Sequence, residues 1–119
     1  MKKNILRERT YEFSLLVIFT YQKILKDHKE YNLSKQFLRS GTAIGALCRE
    51  SEYAQSLPDF ISKLSISLKE ANETDYWISL LSDTNYIEIS DKEILTDKCR
   101  VIIRLLIASI NTSKRKLTK

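Results

Sequence analysis

Only two glycines and one proline punctuate a chain of 119 residues. Turns draw heavily on these residue types, so punctuation this sparse leaves few turns and long elements. Long elements with few breakers are helices. Apolar residues recur at helical spacing in four segments, from about Asn4 to Asp27, Leu33 to Gln55, Pro58 to Ser82 and Ser90 to Lys114. The breaks between them carry their own chemistry. In Lys29-Glu-Tyr-Asn32, Asn32 is placed to cap the second helix. In Ser56-Leu-Pro58-Asp59, Ser56 caps the third, Pro58 takes a first-turn site that needs no N–H, and Asp59 suits the positive helix end. Ser90-Asp-Lys-Glu93 has the form of a capping box for the fourth. Short connections between long helices make neighbours antiparallel. The expected fold is all-α: an antiparallel up-down-up-down four-helix bundle, one domain over residues 1–119.

A chain of this length can bury one core without staples, and its 43% hydrophobic content suits a globular protein. Cys48 and Cys99 lack metal or redox spacing and read as buried free thiols, consistent with a reducing cytoplasm. Charged residues at the N-terminus leave no signal-peptide pattern, and the most apolar run, Leu15 to Phe19, is far short of the ~20 residues that span a bilayer. No membrane partner is expected.

Two helices are apolar over too wide an arc for one bundle. The first contains Phe13 and the run Leu15-Leu-Val-Ile-Phe19; the fourth contains Val101, Ile102, Ile103, Leu105, Leu106, Ile107 and Ile110. A bundle helix needs an apolar stripe about 100° wide, whereas four successive residues cover about 300°. Leu15, Ile18, Phe19, Ile103 and Ile107 are therefore candidates for a homo-oligomer interface. A monomer exposing a few large aliphatics is the plain alternative.

The constellations that carry chemistry give little. Gly41 and Gly45 in Arg39-Ser-Gly-Thr-Ala-Ile-Gly-Ala46 share a helix face and permit close helix approach; their spacing is not that of a phosphate-binding loop. Glu70, Glu73 and Trp77 share a face of the third helix. Counting back from the turn near residue 56 sets Glu73 level with Ser40, which predicts an Arg39–Glu73 ion pair on an inner face. A carboxylate metal site needs Glu-x-x-His pairs, and the one histidine, His28, has no such glutamate. No nucleophile elbow occurs either. Catalytic residues, metal and cofactor are all expected to be absent.

The basic residues gather more in space than in sequence. In an up-down-up-down bundle the start of the first helix and the end of the fourth share one end, which would hold Lys2, Lys3, Arg7, Arg9, Lys114, Arg115, Lys116 and Lys119. Such a patch suits a phosphate backbone. It equally suits a helix C-terminus, whose dipole lysines complement. The net charge of +5 permits an anionic partner without requiring one.

The run Arg39-Ser-Gly-Thr-Ala-Ile-Gly-Ala46, then Glu50, Asp59-Phe-Ile-Ser-Lys-Leu64 and Lys69-Glu-Ala-Asn-Glu-Thr-Asp-Tyr-Trp77 resembles the four-helix proteins encoded in intervening sequences of bacterial 23S ribosomal RNA genes, once labelled a ribosomal protein family. The resemblance covers about residues 7 to 112. It implies a subunit of a ring-like homo-pentamer with no enzyme activity. It also implies similarity to accessory proteins of diversity-generating retroelements, which bind a reverse transcriptase and RNA through a basic surface. This chain departs from the pattern where Ala43, Leu47 and Cys48 replace the family's Ser, Asn and Ile, removing a polar group from the inner face. The expected function is a homo-oligomeric scaffold that binds RNA or a nucleoprotein through the basic end; a protein–protein adaptor without a nucleic-acid role is the alternative.

Overall fold

The computed structural model describes residues 4–118 and consists of four helices, α1 (Ile5–His28), α2 (Leu33–Ser51), α3 (Leu57–Asp83) and α4 (Ile89–Leu117), with no strand among the described residues. None of the four is long and apolar enough to cross a membrane. Buried positions follow a three-four repeat: Ser34, Phe37, Gly41, Ile44, Cys48 and Ser51 in α2, and Leu64, Ser67, Ala71, Thr74, Ile78 and Leu81 in α3. In α4 the seam is Leu95, Cys99, Ile102, Leu106, Ile110 and Ser113. In α1 it is Thr10, Phe13, Val17 and Ile24. That spacing keeps one narrow stripe facing inward along each helix.

α1 and α3 each pack against α2 and α4. Contacts fix the register. Arg7 meets Glu52 while Val17 lies against Gly41. Lys63 meets Glu50 while Thr74 meets Ser40. Residue numbers thus rise on one helix as they fall on its partner. The α2–α3 seam is drawn close by small buried hydroxyls. Ser67 donates to the Ile44 carbonyl at 2.9 Å, and the Thr74 hydroxyl lies 2.9 Å from that of Ser40. These satisfied groups let the helices approach without stranding polar atoms.

Cysteine chemistry is quenched by this packing. Both thiols are free and buried. Burial pushes the Cys99 thiol up to about 12, and burial likewise raises Cys48, whose sulfur lies 3.4 Å from Ser67 Oγ. Neither supplies a thiolate near neutral pH.

The helix ends differ in part from their sequence signals. Ser56 Oγ accepts from the Asp59 amide at 3.2 Å as an N-cap should, while the Asp59 carboxylate accepts from the amide of Gln55, one residue before the cap, at 3.1 Å. Asn32 does not cap α2. The Glu30 carboxylate takes that role, accepting from the amides of Asn32, Leu33 and Ser34 at 3.1, 2.6 and 2.9 Å. A longer side chain placed two residues earlier reaches three orphan donors at once. Ser90 and Glu93 form no capping box, because α4 begins at Ile89 with Glu88 in the cap position. α2 stops at Ser51, whose hydroxyl donates to the Cys48 carbonyl at 2.6 Å. Lys29, in the left-handed region at φ 53°, closes α1 by donating its N–H to the Leu25 carbonyl.

Partial burial opposes ionisation of Glu30, but the amides of Ser34, Leu33 and Asn32 outweigh it and hold the carboxyl below the usual glutamate range. Glu30→Ala should cost about 1 kcal/mol at neutral pH, as lost caps do. Because the folded value is depressed, this contribution is present above the unfolded value and fades as pH falls through the folded one. Urea unfolding of both proteins should therefore converge in acid. A gap that persists unchanged would show that the carboxylate is not the cap.

Candidate nucleic-acid interface

The residues singled out from sequence fall into separate places. Lys2, Lys3 and Lys119 lie outside the described residues. Arg7 turns to the α1–α2 face, with its Nη1 3.6 Å from Glu52. Arg9 lies on the α1–α4 seam beside Glu12, Lys98 and Ile102. Lys114, Arg115 and Lys116 form the last turn of α4. Twelve residues separate Ile102 from Lys114, about 18 Å of helix at 1.5 Å per residue. That exceeds a Debye length of about 8–10 Å at ordinary salt. The expected single basic patch at the bundle end is thus drawn out, because α4 continues past the level of α1.

A second set of basic residues lies along α4 itself, in two groups. From Lys98 to its end the helix carries Lys98, Arg100, Arg104, Lys114, Arg115 and Lys116 and no acid. All six are exposed. Arg100, Arg104 and Arg115 fall within an arc of roughly 60°, opposite the buried seam of Cys99, Ile102 and Leu106, at 100° per residue. Sequence reasoning missed Arg100 and Arg104 because it weighed the termini. The signal was their spacing of four, repeated at Asn111 and Arg115. The strip from Arg100 to Lys116 runs about 24 Å, with about 15 Å of uncharged helix between Arg104 and Lys114, so its two groups would meet phosphates at two separate points of a strand. The lysines of the last turn also complement the negative end of the helix.

The Arg39 cluster is a surface network. Its guanidinium contacts Glu73 and lies 3.3 Å from both Glu70 oxygens, and Trp77 Nε1 donates to Glu73 at 3.4 Å. The Arg39 side chain is 48% exposed and that of Glu73 38% exposed. The inner face expected from the turn count is therefore an edge of the α2–α3 seam, whose inner positions belong to Ser40 and Thr74. A pair this exposed is worth about 0–1 kcal/mol.

Of the apolar interface candidates, Leu15, Phe19 and Ile107 are exposed, Phe19 to 60%, while Ile18 and Ile103 are half-buried. Val17 alone of the run from Leu15 to Phe19 is buried. A groove of about 550 Å³ between the start of α3 and the last turns of α4 is lined by Leu57, Phe60, Leu105, Ala108 and Lys116. Among the described residues no cluster of His, Cys, Asp and Glu could hold a metal ion. His28 packs edge-on against Tyr86, with ring centroids 5.3 Å apart.

These features define a class: all-helical proteins with an apolar, hydroxyl-lined interior, basic residues along the last helix and exposed apolar side chains. The chain belongs to the 23S rRNA-intervening sequence protein family, whose sequence model matches residues 2–108. It is similar to a crystal structure of a protein of unknown function from the S23 ribosomal protein family of Bacteroides thetaiotaomicron VPI-5482. The two share 45% identity and a TM-score of 0.87, over 89% of this chain and 98% of that one. No curated protein matches the chain. The family resemblance carried by Arg39 to Trp77 is thereby shown.

Proposed function

We propose that the chain is a non-catalytic scaffold: an up-down-up-down bundle that assembles into a homo-oligomeric ring and holds RNA or a nucleoprotein on its basic surface. The observation that carries the RNA part is the acid-free run of α4 from Lys98 onward, in which Arg100 and Arg104 form one basic group and Lys114, Arg115 and Lys116 a second about 15 Å further along, with Arg100, Arg104 and Arg115 on one face. Guanidinium groups on a rigid helix meet phosphates through paired hydrogen bonds and keep their charge at all relevant pH. Self-assembly is supported by Leu15 and Phe19 on α1, whose large apolar side chains face outward. Burying them gains about 25 cal/mol per Å².

Light scattering on purified protein, before and after nuclease treatment, tests the assembly. The expected result is a mass several times 13.9 kDa that survives nuclease. A monomer at micromolar concentration would remove the ring. The exposed apolar side chains also favour a second reading, an adaptor that docks another protein on the same face. It would be supported if the purified monomer formed a discrete complex with one protein after nuclease treatment.

A further inference from the structure

A second concave site lies away from the α4 strip, between α1 and α2. It is a cleft of about 280 Å³ lined by Arg7, Thr10, Tyr11, Ser14, Gly45, Ala46 and Arg49. Gly45 makes its floor. A Cβ there would stand 3.3 Å from the Thr10 carbonyl oxygen and from Thr10 Oγ1, and 3.4 Å from Ser14 Oγ, so the missing side chain lets α1 and α2 approach closely beneath the cleft. Arg7 and Arg49 flank the mouth. Tyr11, 57% exposed, stands beside them.

The two arginines share a single carboxylate. Glu52 lies between them, one oxygen 3.6 Å from Arg7 Nη1 and the other 4.0 Å from Arg49 Nε. One carboxylate against two guanidiniums leaves a net positive mouth. Each guanidinium carries five N–H donors, and at 3.6 and 4.0 Å the Glu52 oxygens are beyond hydrogen-bond distance of them. The lining therefore offers cationic forks, a π-face and the part-exposed Ser14 hydroxyl within one nucleotide-sized hollow, the Thr10 hydroxyl being buried and donating to the Leu6 carbonyl.

We infer that this α1–α2 cleft binds a single nucleotide unit, with Arg7 and Arg49 on its phosphate and Tyr11 stacked on its base. Bases stack on aromatic side chains without regard to sequence, and arginine forks fit phosphate oxygens. The hollow is near the small end of ligand sites, roughly 300 Å³, too small for a duplex. Its occupant is one unstacked residue of single-stranded RNA, or a free nucleotide with the same chemistry. The first source rests on the RNA reading above.

Fluorescence anisotropy with a labelled single-stranded RNA of roughly 12 nucleotides, on the full chain at low salt, tests it, with AMP as competitor. Tyr11→Ala, Arg49→Ala and the cleft-filling Ala46→Trp should each weaken binding roughly tenfold or more. Glu52→Gln should tighten it severalfold by freeing both forks. All four positions are exposed, and circular dichroism confirms folding. Normal RNA affinity in the three weakening variants, with none gained in Glu52→Gln, overturns the cleft. The α4 strip would still stand if Arg100→Glu with Arg104→Glu abolished binding. The opposite pattern, with cleft variants weakened and strip variants normal, would keep the cleft and remove the strip. AMP bound as tightly as the RNA, and lost with Ala46→Trp, would identify the free nucleotide as the occupant. Binding of neither probe by the wild type would end both readings.

Discussion

Gly41→Ala is expected to destabilise the protein by about 2 kcal/mol, although alanine is the better helix former. A Cβ at Gly41 would stand 2.8 Å from both Val17 methyl groups and 3.3 Å from Val17 Cβ. Valine is stiff about its first side-chain torsion, so rotation cannot clear both methyls. Val17 is itself fully buried between α1 and α2, and the backbone must yield. Overpacking of this kind costs about 1–3 kcal/mol or more, against a helix-propensity gain of about 1 kcal/mol. The partner substitution isolates the cause. Val17→Ala alone should cost about 1–3 kcal/mol through the cavity it leaves, and the double variant should be clearly more stable than the sum of the two. Urea unfolding of all four proteins measures this. Strict additivity, or a stabilised Gly41→Ala, would show that α1 and α2 do not approach as closely as described.

Reversing Arg100, Arg104 and Arg115 to glutamate should weaken RNA binding roughly a hundredfold or more near 50–100 mM salt. Each reversal removes a phosphate contact and adds a repulsion, and the three act on one face of one helix. The side chains are exposed and form no ion pair among the described residues, so the fold should be indifferent. As the matched control, Lys26→Glu, Lys35→Glu and Lys69→Glu together, all exposed and away from α4, make the same change in net charge and should lower affinity much less. Gel-shift or anisotropy titrations at fixed salt read both. Equal losses in the arginine variant and in the control would mean that bulk charge, not the strip, attracts RNA.

The helices were readable because their signals are local. Sparse glycine and proline set their number, and Ser56 with Pro58 marked a helix start by short-range geometry that the structure reproduces. Where a longer side chain competed, local pattern misled. Glu30 reaches the amides that Asn32 was expected to serve, since a carboxylate on a flexible stem can satisfy three donors. The Arg39–Glu73 contact followed from counting along the helices, which fixes level but not angle. Its exposure depended on the inward stripe, filled here by Ser40 and Thr74.

The same limit explains the basic surface. Termini can be assigned to one end of a bundle from topology alone, and that placed Arg7 and Arg9 with Lys114 to Lys116. How far α4 overshoots α1, and which way each side chain points, depend on packing. Arg7 went to a cleft with Arg49, Arg9 to a seam with Lys98, and the strip through Arg100 and Arg104 emerged only once the buried stripe of α4 was known. The wide apolar arcs of α1 and α4 were legible as an excess. Only the fold shows Phe19 turned outward and Val17 turned in.

The central claim, that RNA is held by phosphate contacts on a basic helical surface, is tested most directly by the salt dependence of the affinity. Single-stranded RNA titrated across a range of salt should give a plot of log affinity against log salt with a slope of about −2 to −4, since each neutralised phosphate contributes about −0.7 and the α4 strip offers three to six cations. A slope near zero, or no binding even at the lowest salt, would contradict it.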